Sequence, residues 1–316
     1  MNSTPPCDVA IVGAGFTARE HLRALRDIPG VNVAALHSRT RPRAEALAAE
    51  FGIKAVCDSV LELYERSRAA LVLLTVPELS MNALAKSSFG FPWTVMMEKP
   101  PGYNLADALD IQIAAKAKRT RVLVGLNRRF LAATLRAKAE LDKTAAPRFI
   151  KVQDQQNQAA AFSAGQPIEV VQNYMYANSI HTIDYLRVLG RGHVTSVEHV
   201  VRWNPEHPGP VVCSLTYDSG DIGLYEGMWH APGPWAVTVT VPKKKWEMRP
   251  LEQLTTQELG YPPRTIDPDP WDVNFKPGFR RQAEAAVLSA CGRQSNAVSL
   301  DDAIETTCLI ARIFVP

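Results

Sequence analysis

Through its first half the chain alternates short, continuous apolar runs with segments whose apolar residues recur at helical spacing. Runs at residues 9–12, 31–36, 70–76, 94–98 and 121–126 are bounded by Gly, Pro or polar residues, the pattern of strands buried on both faces of a parallel sheet. Between them Leu22, Leu25 and Ile28 share one helical face, and residues 43–51 and 105–117 show the same period. This alternation predicts a doubly wound parallel α/β sheet. From Arg148 onward the pattern changes. Residues 149–155, 194–201, 211–217, 222–228 and 235–241 are strand-like, and Asp218-Ser219-Gly220-Asp221 is a hairpin signal between two of them. Helical stretches near 177–189 and 279–291 interrupt this second sheet, which is expected to be predominantly antiparallel. The Pro-rich stretch 261–277 is expected to be an ordered surface loop. The expected domains are residues 1–127 and 128–316, with closing helices able to pack back on the first. The apolar alternation Val237, Val239, Val241 marks a sheet face that needs a cover, taken here as a contact between copies of the chain.

The first strand runs directly into Gly13-Ala14-Gly15-Phe16-Thr17-Ala18 and then into a helix. Strand, glycine turn and helix in the G-x-G-x-x-A variant form a dinucleotide-binding turn. Gly13 serves the tight turn, and Gly15 lets the backbone approach a pyrophosphate at the helix start. Phe16, Thr17 and, at the end of the third strand, Thr75 and Pro77 are further candidate cofactor contacts. The second strand ends in His37-Ser38-Arg39-Thr40, and no Asp or Glu occurs from Val31 to Arg43. An acidic clamp for the ribose hydroxyls is therefore missing. Ser38, Arg39 and Thr40 suit a 2′-phosphate, so NADP is expected over NAD, with NAD as the alternative.

The run TVMM stops at Glu98-Lys99-Pro100-Pro101-Gly102. Such a strand delivers Lys99 to the carboxyl edge of the sheet, where open α/β sheets bind ligands. A lysine there can exchange a substrate hydroxyl proton, because desolvation or neighbouring positive charge lowers its pKa. In Ser179-Ile180-His181-Thr182-Ile183-Asp184-Tyr185-Leu186, three apolar residues share a face and anchor the helix. His181 is the second candidate acid/base.

Composition narrows the alternatives. The chain has 316 residues, 46% hydrophobic and 21% charged, with a net charge of +3, too small to argue for nucleic acid or a membrane surface. Lys243-Lys244-Lys245 is read as an exposed strand end. Five scattered cysteines support neither a disulfide framework nor a metal site, and no metal is expected. The opening MNSTPPC lacks a signal-peptide core, so a cytoplasmic location is expected.

The GAGFTA turn, the EKP tripeptide at Glu98–Pro100, GLNRRF at Gly125–Phe130, HTIDYLRVLG at His181–Gly190 and SLDDA within the closing helices together resemble the glucose-fructose oxidoreductase, inositol dehydrogenase and rhizopine catabolism (Gfo/Idh/MocA) family over nearly the whole chain. The resemblance implies an NAD(P)-dependent oxidoreductase with a Rossmann domain and an antiparallel sheet domain. Its substrate is a sugar, polyol or nucleotide sugar, and its open sheet makes a homo-oligomer contact. It also implies that Lys99 lies near nicotinamide and substrate, with Glu98 beside it. Many members carry an acid four residues before the histidine; this chain has Ala177 there, followed by Asn178. Asn178, Tyr176, Tyr174 and Arg128 are the candidate substrate contacts. A catalytically silent dinucleotide sensor or an assembly protein of the same fold is the alternative reading.

Overall fold

The structure is a computed structural model that describes residues 6–315. The leader reading of the first seven residues therefore rests mostly on positions 1–5, outside the described residues. The chain forms two compact units. One comprises the described residues up to Asn127 together with Val273–Ile304, and the other comprises Arg128–Asp272 with the described residues from Glu305.

In the first unit the order is β1 (Cys7–Val12), α1 (Phe16–Arg26), β2 (Val31–His37), α2 (Arg41–Phe51), β3 (Ala55–Cys57), α3 (Val60–Ser67), β4 (Leu71–Leu74), α4 (Glu78–Ser88), β5 (Thr94–Glu98), α5 (Leu105–Lys118) and β6 (Val122–Gly125). The six strands are parallel in the order β3-β2-β1-β4-β5-β6. Connections reverse direction at β1 and β4, so the loops after these strands flank the switch point where such sheets bind ligands. β1 and β4 are buried almost throughout, which accounts for their unbroken apolar runs. Asn104 caps α5 by accepting from the Asp107 amide, and Ser59 caps α3 in the same way through Glu62.

The second unit contains a 3₁₀ turn from Asn127 to Phe130, α6 (Ala132–Leu141), β7 (Phe149–Gln156), α7 (Gln158–Ser163), α8 (Ile168–Gln172), a π-helical turn over Met175–Ser179 and α9 (Ile180–Leu189). There follow β8 (Val194–Val201), β9 (Val211–Tyr217), β10 (Ile222–Trp229), β11 (Ala236–Val241), β12 (Lys244–Met248), β13 (Leu254–Glu258) and β14 (Arg264–Thr265). The sheet runs β14-β13-β12-β11-β7-β10-β9-β8 and is antiparallel except for the β7–β10 pair. The closing helices are α10 (Pro270–Asn274), α11 (Phe279–Ala290) and α12 (Leu300–Ile313). α11 belongs to the first unit, where Phe279, Ala283, Ala286 and Val287 join the core built around β1 and α1. Gly278 starts that helix at φ +80°, and a Cβ there would lie 2.1 Å from the Asn127 carbonyl oxygen.

The two-sheet architecture expected from the hydrophobic pattern is the one observed. The reading of Val237, Val239 and Val241 is corrected: all three are buried within the chain, on the sheet side against which α9 packs. Their alternation reports an intramolecular core. The opposite face carries Lys151, Gln153 and Glu226, where Lys151 and Gln153 contact the Glu226 carboxylate at 3.0 and 2.9 Å. Among the described residues no helix is long and apolar enough to cross a membrane.

Candidate functional site

The glycine turn is built by β1 and β4 together. Gly13 adopts φ +114°, and a Cβ there would lie 2.4 Å from the Thr75 carbonyl oxygen, so glycine is required for both conformation and space. Thr75 closes the other side, its amide and hydroxyl donating to the Val12 carbonyl at 2.8 and 2.9 Å. A Cβ on Gly15 would meet nothing within 4 Å. Helix α1 begins there without a side-chain cap, which leaves its first N–H groups to an anion. Phe16 is 70% exposed and Thr17 is half-buried at this start. The cradle thus fits a dinucleotide pyrophosphate. Pro77 sets the start of α4 on the neighbouring strand end.

At the end of β2, Ser38 is half-buried while Arg39 and Thr40 are exposed. The Ser38 hydroxyl accepts from the Thr40 amide at 3.4 Å. Arg41 is committed to Glu45 and Asp58. Arg39 makes no ion pair with the described residues, so its guanidinium remains available to a phosphate.

β5 ends at Glu98 and passes directly into Lys99, which is half-buried. Glu98 Oε1 is 2.6 Å from His21 Nε2, a fully buried ring on α1. Gly125 lies beside Glu98 in the β5–β6 register, and a Cβ there would come within 3.0 Å of the carboxylate, so glycine leaves it room. Burial by itself would raise the Glu98 carboxyl. The hydrogen bond and charge of His21, with the charges of Lys99 and Lys276, outweigh it and hold the group below the ordinary carboxylate range. Lys276 also lies 4.4 Å from the Phe279 ring and 5.5 Å from the Phe16 ring. The first unit therefore sets a firmly ionised carboxylate in the residue next to Lys99, with the Lys99 charge among those that hold it low.

In the second unit the π-helical turn and α9 carry the remaining candidates. His181 is buried on α9, its ring 6.0 Å from that of Trp235. Asn178 donates from Nδ2 to Gln156 Oε1 at 2.8 Å. Gln156 Nε2 donates in turn to Asp154 Oδ1 at 2.7 Å, and the Tyr225 hydroxyl donates to Asp154 Oδ2 at 2.7 Å. The Thr182 and Ser179 hydroxyls also lie beside the carboxyl, Ser179 without a hydrogen bond of regular geometry. Burial pushes the Asp154 carboxyl up, and the surrounding donors only partly reverse this. Tyr174 packs edge-on to Trp229. Burial raises the Tyr176 phenol, with the nearby Cys308 thiol adding to the rise, which makes it a poor acid at neutral pH. Arg128 pairs through Nη1 with Glu252 at 2.9 Å, while its buried Nε has no hydrogen-bond partner. Ala177 is buried and holds no ionisable group where the resemblance expects one.

His21, Lys276, Asp154, Gln156 and Tyr225 were not among the expected site residues. Asp154 and Gln156 did leave a signal, since they occupy inward positions of an alternating strand after Ile150 and Val152. His21 and Lys276 left none, because their partners are remote in sequence. Among the described residues no cluster of three His, Cys, Asp or Glu side chains is placed to hold a metal ion.

Comparison with known proteins bears on the first unit most directly. Residues 7–126 match the model of a family described as oxidoreductase family, NAD-binding Rossmann fold. Over 122 residues the chain is 28% identical to 4-carboxy-2-hydroxymuconate-6-semialdehyde dehydrogenase of a Sphingobium strain, 39% of each chain. Over 123 residues it is 28% identical to glucose-6-phosphate 3-dehydrogenase of Bacillus subtilis, 39% of this chain and 34% of that protein. These matches span well under half of either relative. A dehydrogenase structure from Chromobacterium violaceum superposes with a TM-score of 0.82 at 18% identity, covering 97% of this chain and 94% of that one, a likeness of fold.

Proposed function

From the match of residues 7–126 to the model of an oxidoreductase family with an NAD-binding Rossmann fold, we propose that this protein is a cytoplasmic NAD(P)-dependent dehydrogenase or reductase, NADP-preferring, acting on a secondary alcohol or ketone of a sugar, polyol or nucleotide sugar. The observation that carries the reading is the glycine cradle closed by Thr75, in the same unit as the Glu98–Lys99 strand end. The names of both sequence relatives are those of dehydrogenases, and one acts on a sugar phosphate. A homo-oligomer formed through the uncovered face of the eight-stranded sheet completes the proposal.

Gly13, Gly15, Phe16, Thr17, Thr75 and Pro77 would hold the dinucleotide, and Ser38, Arg39 and Thr40 its 2′-phosphate. The nicotinamide supplies hydride acceptance and donation. Lys99 takes the carbinol proton in the oxidative direction and returns it in reduction. Glu98, fixed by His21, steadies the Lys99 charge. His181 assists in proton transfer, and Asn178 anchors the substrate through its amide.

Replacing Lys99 tests this directly. In Lys99→Met, turnover of aldoses and sugar phosphates should fall by about 100-fold to 10,000-fold while NADP(H) affinity is nearly unchanged. Wild-type protein that binds NADP(H) but turns over no sugar, sugar phosphate, nucleotide sugar or simple ketone would instead support the silent sensor. That alternative is favoured by one feature, the absence of an ionisable group at Ala177.

A further inference from the structure

The inward face of β7 holds a hydrogen-bonded chain with a definite polarity. At its buried end the Tyr225 hydroxyl donates to Asp154 Oδ2. The other carboxylate oxygen, Oδ1, accepts from Gln156 Nε2. Gln156 thus presents its NH₂ inward to the carboxyl group and its oxygen outward. That oxygen then accepts from Asn178 Nδ2. Asn178, half-buried in the turn before α9, commits its NH₂ to this chain, and its side-chain oxygen accepts no hydrogen bond among the described residues.

We propose that Asp154 is a specificity-determining positioning residue: acting through Gln156, it fixes the Asn178 amide so that its oxygen is offered to a hydrogen-bond donor, a hydroxyl group of the substrate. The assignment rests on the reading of Asn178 as a substrate contact. It gives the second unit a preference for polyhydroxylated ligands over those presenting an acceptor, such as a carboxylate, at the same place. The preference follows from two fixed amides, since each interior link has its donor and acceptor already committed.

The polarity can be reversed by design, which makes the proposal testable without substrate. Asn178→Asp sets a carboxylate against the Gln156 oxygen, acceptor facing acceptor. Asp154→Asn supplies an NH₂ that can donate to Gln156 Oε1 once the glutamine turns round, while its own oxygen still accepts from Tyr225. In the double variant the turned Gln156 then donates its NH₂ to the carboxylate introduced by Asn178→Asp. Thermal melting at pH 8 should show Asn178→Asp lowering Tm by about 3 to 6 °C in the wild-type background and costing little or nothing in the Asp154→Asn background. Equal losses in both backgrounds, or no loss in the single variant, overturn the oriented chain. The variants are near-isosteric, and Asn178→Ala provides a folded reference that removes the link altogether.

A second measurement separates this from the enzymatic reading. Calorimetric binding of D-glucose 6-phosphate, D-glucose and their monodeoxy analogues to the NADP⁺-saturated protein should single out one hydroxyl whose removal weakens binding about tenfold in wild type and not in Asn178→Ala. Identical discrimination in both proteins overturns the role of Asn178 toward substrate. If none of these sugars binds, the choice of sugars as substrates fails, and the melting cycle still decides whether Asp154 orients the chain.

Discussion

At the scale of single residues, two buried carboxyls are displaced in opposite directions for distinct reasons. Glu98 is desolvated but held low by His21, Lys99 and Lys276. A group whose folded value is depressed contributes stability that is fully present above its ordinary value of 4.5 and is lost as pH falls through the folded value. The melting difference between wild type and Glu98→Gln should therefore be largest near neutral pH and shrink below about pH 4.5. His21→Ala should cost on the order of 3 kcal/mol, because it removes one member of a buried pair and strands the other. Chemical denaturation of the variants decides both. The same scale sets cofactor choice. A charge-assisted contact between Arg39 and a 2′-phosphate contributes on the order of 1.5 to 3 kcal/mol, so Arg39→Ala should weaken NADP(H) binding by about tenfold or more and leave NAD(H) unaffected. Equal loss for the two cofactors would remove Arg39 from the phosphate site.

At the scale of elements, the strand β7 puts a carboxyl where its neighbours Ile150 and Val152 put hydrocarbon. Asp154 is raised by burial, so its favourable contribution is complete below its ordinary value of 3.8 and is lost as pH rises through its folded value. Asp154→Asn should accordingly gain stability relative to wild type as pH rises above about 4, the reverse of the Glu98 variant; parallel melting curves across that range would show that Asp154 does not titrate differently on folding. The same element shows what was legible in the sequence. β1, β4, β5 and β6 were readable because both faces are buried and their apolar runs are continuous. β3 escaped notice because three residues carry no period, and β12 and β13 because Lys244, Lys245, Glu247, Thr255 and Gln257 break the hydrophobic signal. Glu98 and Lys99 could be singled out locally. The His21–Glu98 and Asn178–Gln156–Asp154 contacts could not, since each joins elements that only the fold brings together.

At the scale of the whole molecule, the eight-stranded sheet covers one face with its own helices and leaves the other uncovered. That outer face mixes the Lys151–Glu226 pair with the exposed side chains of Phe149, Ile222 and Met228. Phe149 and Ile222 are register partners on adjacent strands, so they form one apolar spot rather than two isolated ones. A polar surface with a small apolar centre is the composition of a protein interface rather than of a core. Sedimentation at micromolar concentration should give a mass of at least a dimer of the 34.8 kDa chain. A twofold contact would repeat any added charge on both copies and place like charges close together. Ile222→Glu should therefore shift the protein toward monomer without unfolding it, because Ile222 contributes nothing to the inward core, whereas Val239→Glu should unfold the chain by placing a charge in that core. A wild-type monomer, or an Ile222→Glu variant with unchanged mass, would assign this face to solvent and leave assembly without a surface.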